Sequence, residues 1–224
     1  RVPDTDAEVL QAATLTGTVC LGKTHMTELA FSGLGINPMT ATPPNAVTAG
    51  LAPGGSSSGA AVSVKLGLAA AAVGSDTGGS VRIPAAWNDL VGLKTTQGRV
   101  STAGVVPLCK RFDTVGPLAR TVEDCALVLA ALEGRAAPDL RGATLSGARL
   151  LVLDGLPFAS AREAPVRGFE AAVKRFEKAG ARIERRALPM LEPAMDLSGI
   201  LFAPEAYGLW AEVIEAAPEK MYPV

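Results

Sequence analysis

Two short stretches set hydroxyls among glycines: Pro53-Gly54-Gly55-Ser56-Ser57-Ser58-Gly59 and Gly74-Ser75-Asp76-Thr77-Gly78-Gly79-Ser80. Glycines let a backbone approach a ligand closely and expose consecutive N–H groups. Such N–H groups stabilise an oxyanion, and a hydroxyl beside them can attack a carbonyl. Gly and Ser also form ordinary turns, so either cluster alone reads as a turn. Two clusters flanking one helix–strand unit point instead to a shared site. A serine nucleophile needs a base. The single histidine, His25, falls in an ordinary helical pattern, where a structural or surface role fits better than catalysis. No G-x-S-x-G elbow surrounds Ser56 or Ser80. A lysine held neutral can replace histidine, which leaves a Ser/Lys mechanism as the physical candidate.

These loops need elements to hold them. Thr5 and Glu8 form a T-x-x-E capping pattern ahead of a helix predicted over residues 6–15, with Gly17 as its stop. A short buried strand is predicted over 18–21 and a helix over 25–31. Residues 33–59 form a long irregular stretch, and its Gly/Ser-rich end favours a functional loop over disorder. A helix over 60–68 and a buried strand over 69–74 lead into the second glycine loop. Turn and short strand are expected over 91–101. A helix over 121–132 has Thr121 and Asp124 as cap and Gly134 as stop. A strand over 149–154, an amphipathic helix over 165–179 ended by Gly180, and a strand over 181–188 follow. Residues 197–216 read as helix interrupted near Pro204. Alternating helices and strands imply an α/β fold, a mixed β-sheet covered by helices on both faces.

Composition narrows the function. Hydrophobic residues make up 48% and charged residues 19%, a globular balance. A net charge of -1 without a basic run, and 4% aromatics, disfavour nucleic-acid binding by charge or by stacking. Cys20, Cys109 and Cys125 are odd in number and far apart. They predict small core residues in a reducing compartment rather than disulfides or a zinc site. The most apolar stretch, residues 60–74, contains Ser63 and Lys65 and is too short and polar to span a bilayer.

With the two loops in place, the chain resembles the amidase signature hydrolases. PGGSSSGAA at 53–61 and GSDTGGSVRIPAA at 74–86 look like the two halves of that signature. GKTHMTELAFSGLGINP, VGLKTTQGRVS and FDTVGPLARTVEDCALVL are similar to further family segments. The likeness is strong over residues 3–134 and weaker beyond. It implies a single partial amidase domain over residues 1–224, cut at both ends, with a signature core at about 18–134 and the start of a variable C-terminal half at about 145–224. It implies a Ser, cis-Ser, Lys mechanism with Ser80 as nucleophile and Ser56 as bridging serine. The cis bond would lie on one side of Ser56, with the two hydroxyls in hydrogen-bonding range across a cleft. The N–H groups of Thr77, Gly78, Gly79 and Ser80 would form the oxyanion hole. Gly55, Ser57, Asp76 and Arg82 would support the loops. The family's base lysine precedes the stretch matching Gly22-Lys23. Lys23, Lys65 and Lys94 do not match it, so the chain by itself is expected to be weakly active or inactive.

The resemblance implies a small-molecule amide substrate, no metal or organic cofactor, no membrane and a cytoplasmic enzyme, with a homodimer left open. Three other readings remain. The amidase (A) subunit of a glutamyl-tRNA(Gln) amidotransferase is the alternative within the family. A non-catalytic binding or assembly subunit is another. The third is a P-loop nucleotide site, since Gly17-Thr18-Val19-Cys20-Leu21-Gly22-Lys23-Thr24 fits G-x-x-x-x-G-K-[ST] and the run ending at Asp154 could pose as its magnesium partner. Against it, a P-loop follows a strand, whereas Gly17 follows a predicted helix.

Overall fold

In the computed structural model residues 3–221 are described. Two compact units divide the chain, residues 1–139 with 204–224, and residues 140–203. The fold is α/β, with helices packed around antiparallel and parallel strands.

The first unit is built on a three-stranded sheet, β1 (Ala71–Ser75), β2 (Val91–Gly92) and β3 (Val115–Ala119), in the order β1-β3-β2. Both pairings are antiparallel, with Val73 opposite Pro117 and Gly92 opposite Leu118. Every residue of β3 is buried. No strand is expected there from the sequence, and Pro117, which cannot donate to a ladder, is unusual in a central strand. The structure uses the proline's carbonyl instead, which accepts from the Leu93 N–H at 3.0 Å.

Helices α1 (Glu8–Leu15), α2 (Ser58–Lys65), α3 (Arg82–Trp87) and α4 (Val122–Leu132) pack about this sheet. Val9 and Ala13 of α1, four residues apart on one face, meet Val100, Val115, Ala131 and Leu132. The second cluster, Ala60, Ala61, Val81, Ala85 and Leu118, is mostly alanine. Such small side chains bring α2 and α3 close to β3, and those two helices carry the glycine loops. The cap of α4 is as expected, the Thr121 side chain accepting from the Asp124 N–H at 3.0 Å.

Other expectations are corrected. No T-x-x-E cap forms at α1; its N-cap is Ala7, without a side-chain bond. The Glu8 carboxylate instead accepts from the Ser101 hydroxyl at 2.7 Å, a tertiary contact that outcompetes the local one. Residues 18–21 are not a strand: Val19 and Leu21 are exposed and no ladder pairs with them. Apolar, extended-prone residues make no strand without a neighbour. Residues 25–31 hold only a single 3-10 turn, Glu28–Ala30, with Leu29 and Ala30 at positive φ. Cys20 is exposed, while Cys109 and Cys125 are buried as expected.

In the second unit, β4 (Arg149–Asp154) and β5 (Arg182–Ala187) pair in parallel, connected through α5 (Glu163–Lys178). Parallel and antiparallel pairing thus fall in two sheets rather than in one. Phe158 and Phe169 pack with ring centroids 5.0 Å apart. Helix α6 (Leu191–Ala216) runs through Pro204 without stopping, and the division between units falls at that residue. Among the described residues no helix is long and apolar enough to cross a membrane.

Candidate active site

The two glycine loops meet. The Ser57 N–H donates to the Ser80 carbonyl at 3.2 Å, and the Ser57 hydroxyl donates to the Ser75 carbonyl at 3.4 Å. Contact this close depends on Gly74, where a Cβ would stand 2.5 Å from Ser57 Oγ. The first loop is also laced to residues 33–35, with Gly54 N–H bonded to the Leu34 carbonyl at 3.0 Å and Gly55 N–H to the Gly33 carbonyl at 2.8 Å. The long irregular stretch is therefore an ordered support for the loop.

The Gly55–Ser56 peptide bond is cis, on one of the two sides anticipated for Ser56. The Ser56 carbonyl accepts from the Thr27 N–H at 3.0 Å and from the Ser58 N–H at 2.9 Å. Its hydroxyl is buried and has no hydrogen-bond partner among the described residues. The expected Ser56–Ser80 hydroxyl bond is thus not made; the loops are joined through the Ser57 N–H and hydroxyl, which donate to the Ser80 and Ser75 carbonyls. Ser80 is itself nearly buried, with 8% exposure. A buried hydroxyl without a partner costs about 1–3 kcal/mol, and such an atom in a native fold calls for an explanation.

Asp76 organises the second loop. Its carboxylate is fully buried and accepts from the Arg82 Nε at 2.9 Å and Nη2 at 3.0 Å. It also accepts from the N–H groups of Gly79 at 2.8 Å, Val81 at 3.2 Å and Arg82 at 3.3 Å. Burial alone pushes the Asp76 carboxyl up. The hydrogen bonds and charge of the Arg82 guanidinium, with the Val81 and Arg82 amides, outweigh it and hold the group below the ordinary carboxylate value. The bracing expected of Asp76 and Arg82 is this ion pair.

The bonding of Gly79 to Asp76 changes the expected oxyanion hole. One of its four amides is already engaged, whereas the N–H groups of Thr77, Gly78 and Ser80 donate to no acceptor among the described residues. Space is open beside Gly78, where an added Cβ would meet nothing within 4 Å.

Several supporting residues escaped the sequence reading. Asn88, fully buried, donates to the Pro53 carbonyl at 2.7 Å and to the Pro84 carbonyl at 2.8 Å, and it accepts from the Ala46 N–H at 2.9 Å. Thr114 Oγ1 donates to the Asp76 carbonyl at 2.6 Å, and Asp113 accepts from the Thr77 hydroxyl at 2.6 Å. Apart from Pro84, each partner lies far away in the chain, and no local motif announces such a pairing.

A cavity of about 300 Å³ lies against this region, its wall including Met26, Thr27, Leu29, Ser75, Asp113 and Thr114. None of the expected site residues lines this cavity or a more open groove of about 540 Å³ over Lys65, Leu68 and Arg120. Lys65 pairs with Asp89 at 2.7 Å, Lys94 Nζ donates to the Thr95 carbonyl at 2.8 Å, and Lys23 is exposed. His25 is exposed too, and its carbonyl accepts from the Gly59 N–H at 2.9 Å. Residues 17–24 have a helix before them and no helix directly after, which removes the P-loop reading.

The Amidase family model matches residues 1–219. The chain is 43% identical over 183 residues to 2-amino-5-chloromuconic acid deaminase of Comamonas testosteroni, covering 80% of this chain and 40% of that protein. It is 38% identical over 219 residues to the A subunit of the glutamyl-tRNA(Gln) amidotransferase of Oenococcus oeni, covering 92% of this chain and 45% of that one. A crystal structure of an amidase superposes with a TM-score of 0.88 at 32% identity, over 100% of this chain and 50% of the other. The chain belongs to the amidase family. It spans less than half the length of the two curated relatives.

Proposed function

We propose that this chain carries the nucleophile and oxyanion-binding part of an amide hydrolase. It would cleave a small carboxylic amide to an acid and ammonia or an amine. The carrying observation is the buried, unpartnered Ser56 hydroxyl on a loop bonded directly to Ser80. A relay hydroxyl needs a base on one side and a nucleophile on the other. Among the described residues Ser56 Oγ bonds to neither, which leaves the position of the base open on that side.

In the reaction Ser80 Oγ attacks the amide carbonyl and its proton passes to the base through Ser56. The N–H groups of Thr77, Gly78 and Ser80 receive the developing oxyanion. The same relay protonates the leaving amine, and water then hydrolyses the acyl-enzyme. No step calls for a metal or organic cofactor, and a reducing, cytoplasmic setting suits the free thiols. The complete gene product should label with a fluorophosphonate at Ser80 and hydrolyse simple amides, and Ser80→Ala should lose both. An unlabelled, inert complete protein refutes the reading.

The likeness to the A subunits of amidotransferases favours one second reading, a glutamine-hydrolysing subunit that works with a partner. Assaying the purified complete protein alone on small amides and on glutamine separates the two.

A further inference from the structure

We propose that Asp113 is a positioning residue for the oxyanion-binding turn, acting through the Thr77 hydroxyl. The inference rests on the amidase reading and concerns how its turn is held.

Thr77 is the first residue of that turn, and Gly78 and Gly79 follow it. Glycines lose more backbone freedom on ordering than other residues, so a Gly-Gly turn keeps its amides aimed only if its ends are fixed. One end is fixed by Asp76, whose backbone N–H donates to the Thr114 carbonyl at 2.8 Å and whose carbonyl accepts from the Thr114 N–H at 3.2 Å. The Asp76 carboxylate fixes the far side through Gly79, Val81 and Arg82. Between these anchors, the Thr77 side chain donates to Asp113 Oδ1 at 2.6 Å.

Asp113 is itself immobilised. It accepts from the Leu108 N–H at 2.9 Å and from the Cys109 N–H at 3.0 and 3.1 Å. Its partners are thus a hydroxyl and two amides rather than a cation. Hydrogen bonds to an ionised acceptor are shorter and about twice as strong as neutral ones. A carboxylate therefore holds Thr77 more firmly than a neutral acceptor at the same place would. Asp113 and Thr114 both stand in the wall of the 300 Å³ cavity, next to the turn that they fix. Asp113 leaves the free amides of Thr77 and Gly78 untouched; it fixes the residue that carries the first of them.

The test uses the complete gene product with Thr77→Val, Thr77→Ser, Asp113→Asn and the double variant T77V/D113N. Turnover of a simple amide, the rate of Ser80 labelling by a fluorophosphonate, and the thermal midpoint are measured for each. Losing preorganised oxyanion stabilisation lowers kcat with little change in KM. Thr77→Val is expected to lower kcat and the labelling rate about tenfold or more, with KM within about threefold. Thr77→Ser, which keeps the hydroxyl, should stay within about threefold of the parent. The double variant should be no worse than the poorer single, because both remove one interaction. Asp113→Asn also weakens the bonds to Leu108 and Cys109, so Thr77→Val carries the decision. A Thr77→Val protein that turns over like the parent overturns the inference. So does a double variant whose losses multiply, or a fall in thermal midpoint with kcat unchanged. If the parent itself is not labelled at Ser80, the amidase reading fails and takes the inference with it; a labelled parent with an unaffected Thr77→Val defeats the inference alone.

Discussion

Asp76 has no contact with water, yet it carries a charge that half-exposed Arg82 neutralises, the Arg82 side chain being 51% accessible. Breaking a fully buried ion pair costs about 3–5 kcal/mol. Solvent screening at Arg82 reduces this, so Asp76→Asn should destabilise the protein by about 2–3 kcal/mol in urea unfolding. The pH dependence has a definite sign. The folded carboxyl lies below its ordinary value of 3.8, so its stabilising contribution is present above that value and is lost as pH falls through the lowered one. The parent should therefore lose stability more steeply than Asp76→Asn as pH falls below about 4; parallel curves would contradict this. At this scale the sequence revealed residues inside a motif and hid those outside it. Ser56, Asp76 and Ser80 were legible from two glycine clusters, whereas Asn88 and Asp113 reach partners 35 and 36 residues away, and a lone Asn or Asp has no signature.

Elements were legible where their signals are local. The α4 cap needs only Thr121 and Asp124, and Thr121→Ala should cost about 1 kcal/mol while Thr121→Ser restores it, measured by urea unfolding. Strands β4 and β5 showed as runs bounded by turns. Strand β3 did not, because its central Pro117 contradicts local preference and only pairing on both sides makes it a strand. The opposite error at residues 18–21 has the same root, a segment with strand composition and no partner. Gly116 marks the tightest point of the sheet, since an added Cβ would stand 2.1 Å from the Leu93 carbonyl oxygen. Gly116→Ala should therefore separate β2 from β3 and destabilise the protein by more than about 2 kcal/mol, beyond an ordinary surface change. Gly78→Ala, at an open position, should leave the urea midpoint unchanged.

At the scale of the molecule, residues 204–221 return to the first unit. Trp210 Nε1 donates to the Pro107 carbonyl at 2.9 Å, and the Arg111 N–H donates to Glu205 at 3.1 Å. Both bonds fall on the loop that leads to Asp113. Trp210→Phe should remove about 1 kcal/mol and speed amide hydrogen exchange over residues 105–112, with exchange in α2 unchanged. The chain order of these contacts follows from no local pattern, so the sequence could not disclose that the two ends of the chain share a unit. That arrangement sets a timetable for biosynthesis. A ribosome releases the serine loops early, but the stretch that braces the 105–112 segment emerges only after a separate 64-residue body, 140–203, has been made. Closure of the first unit spans a long sequence separation and must wait for the end of this stretch of translation.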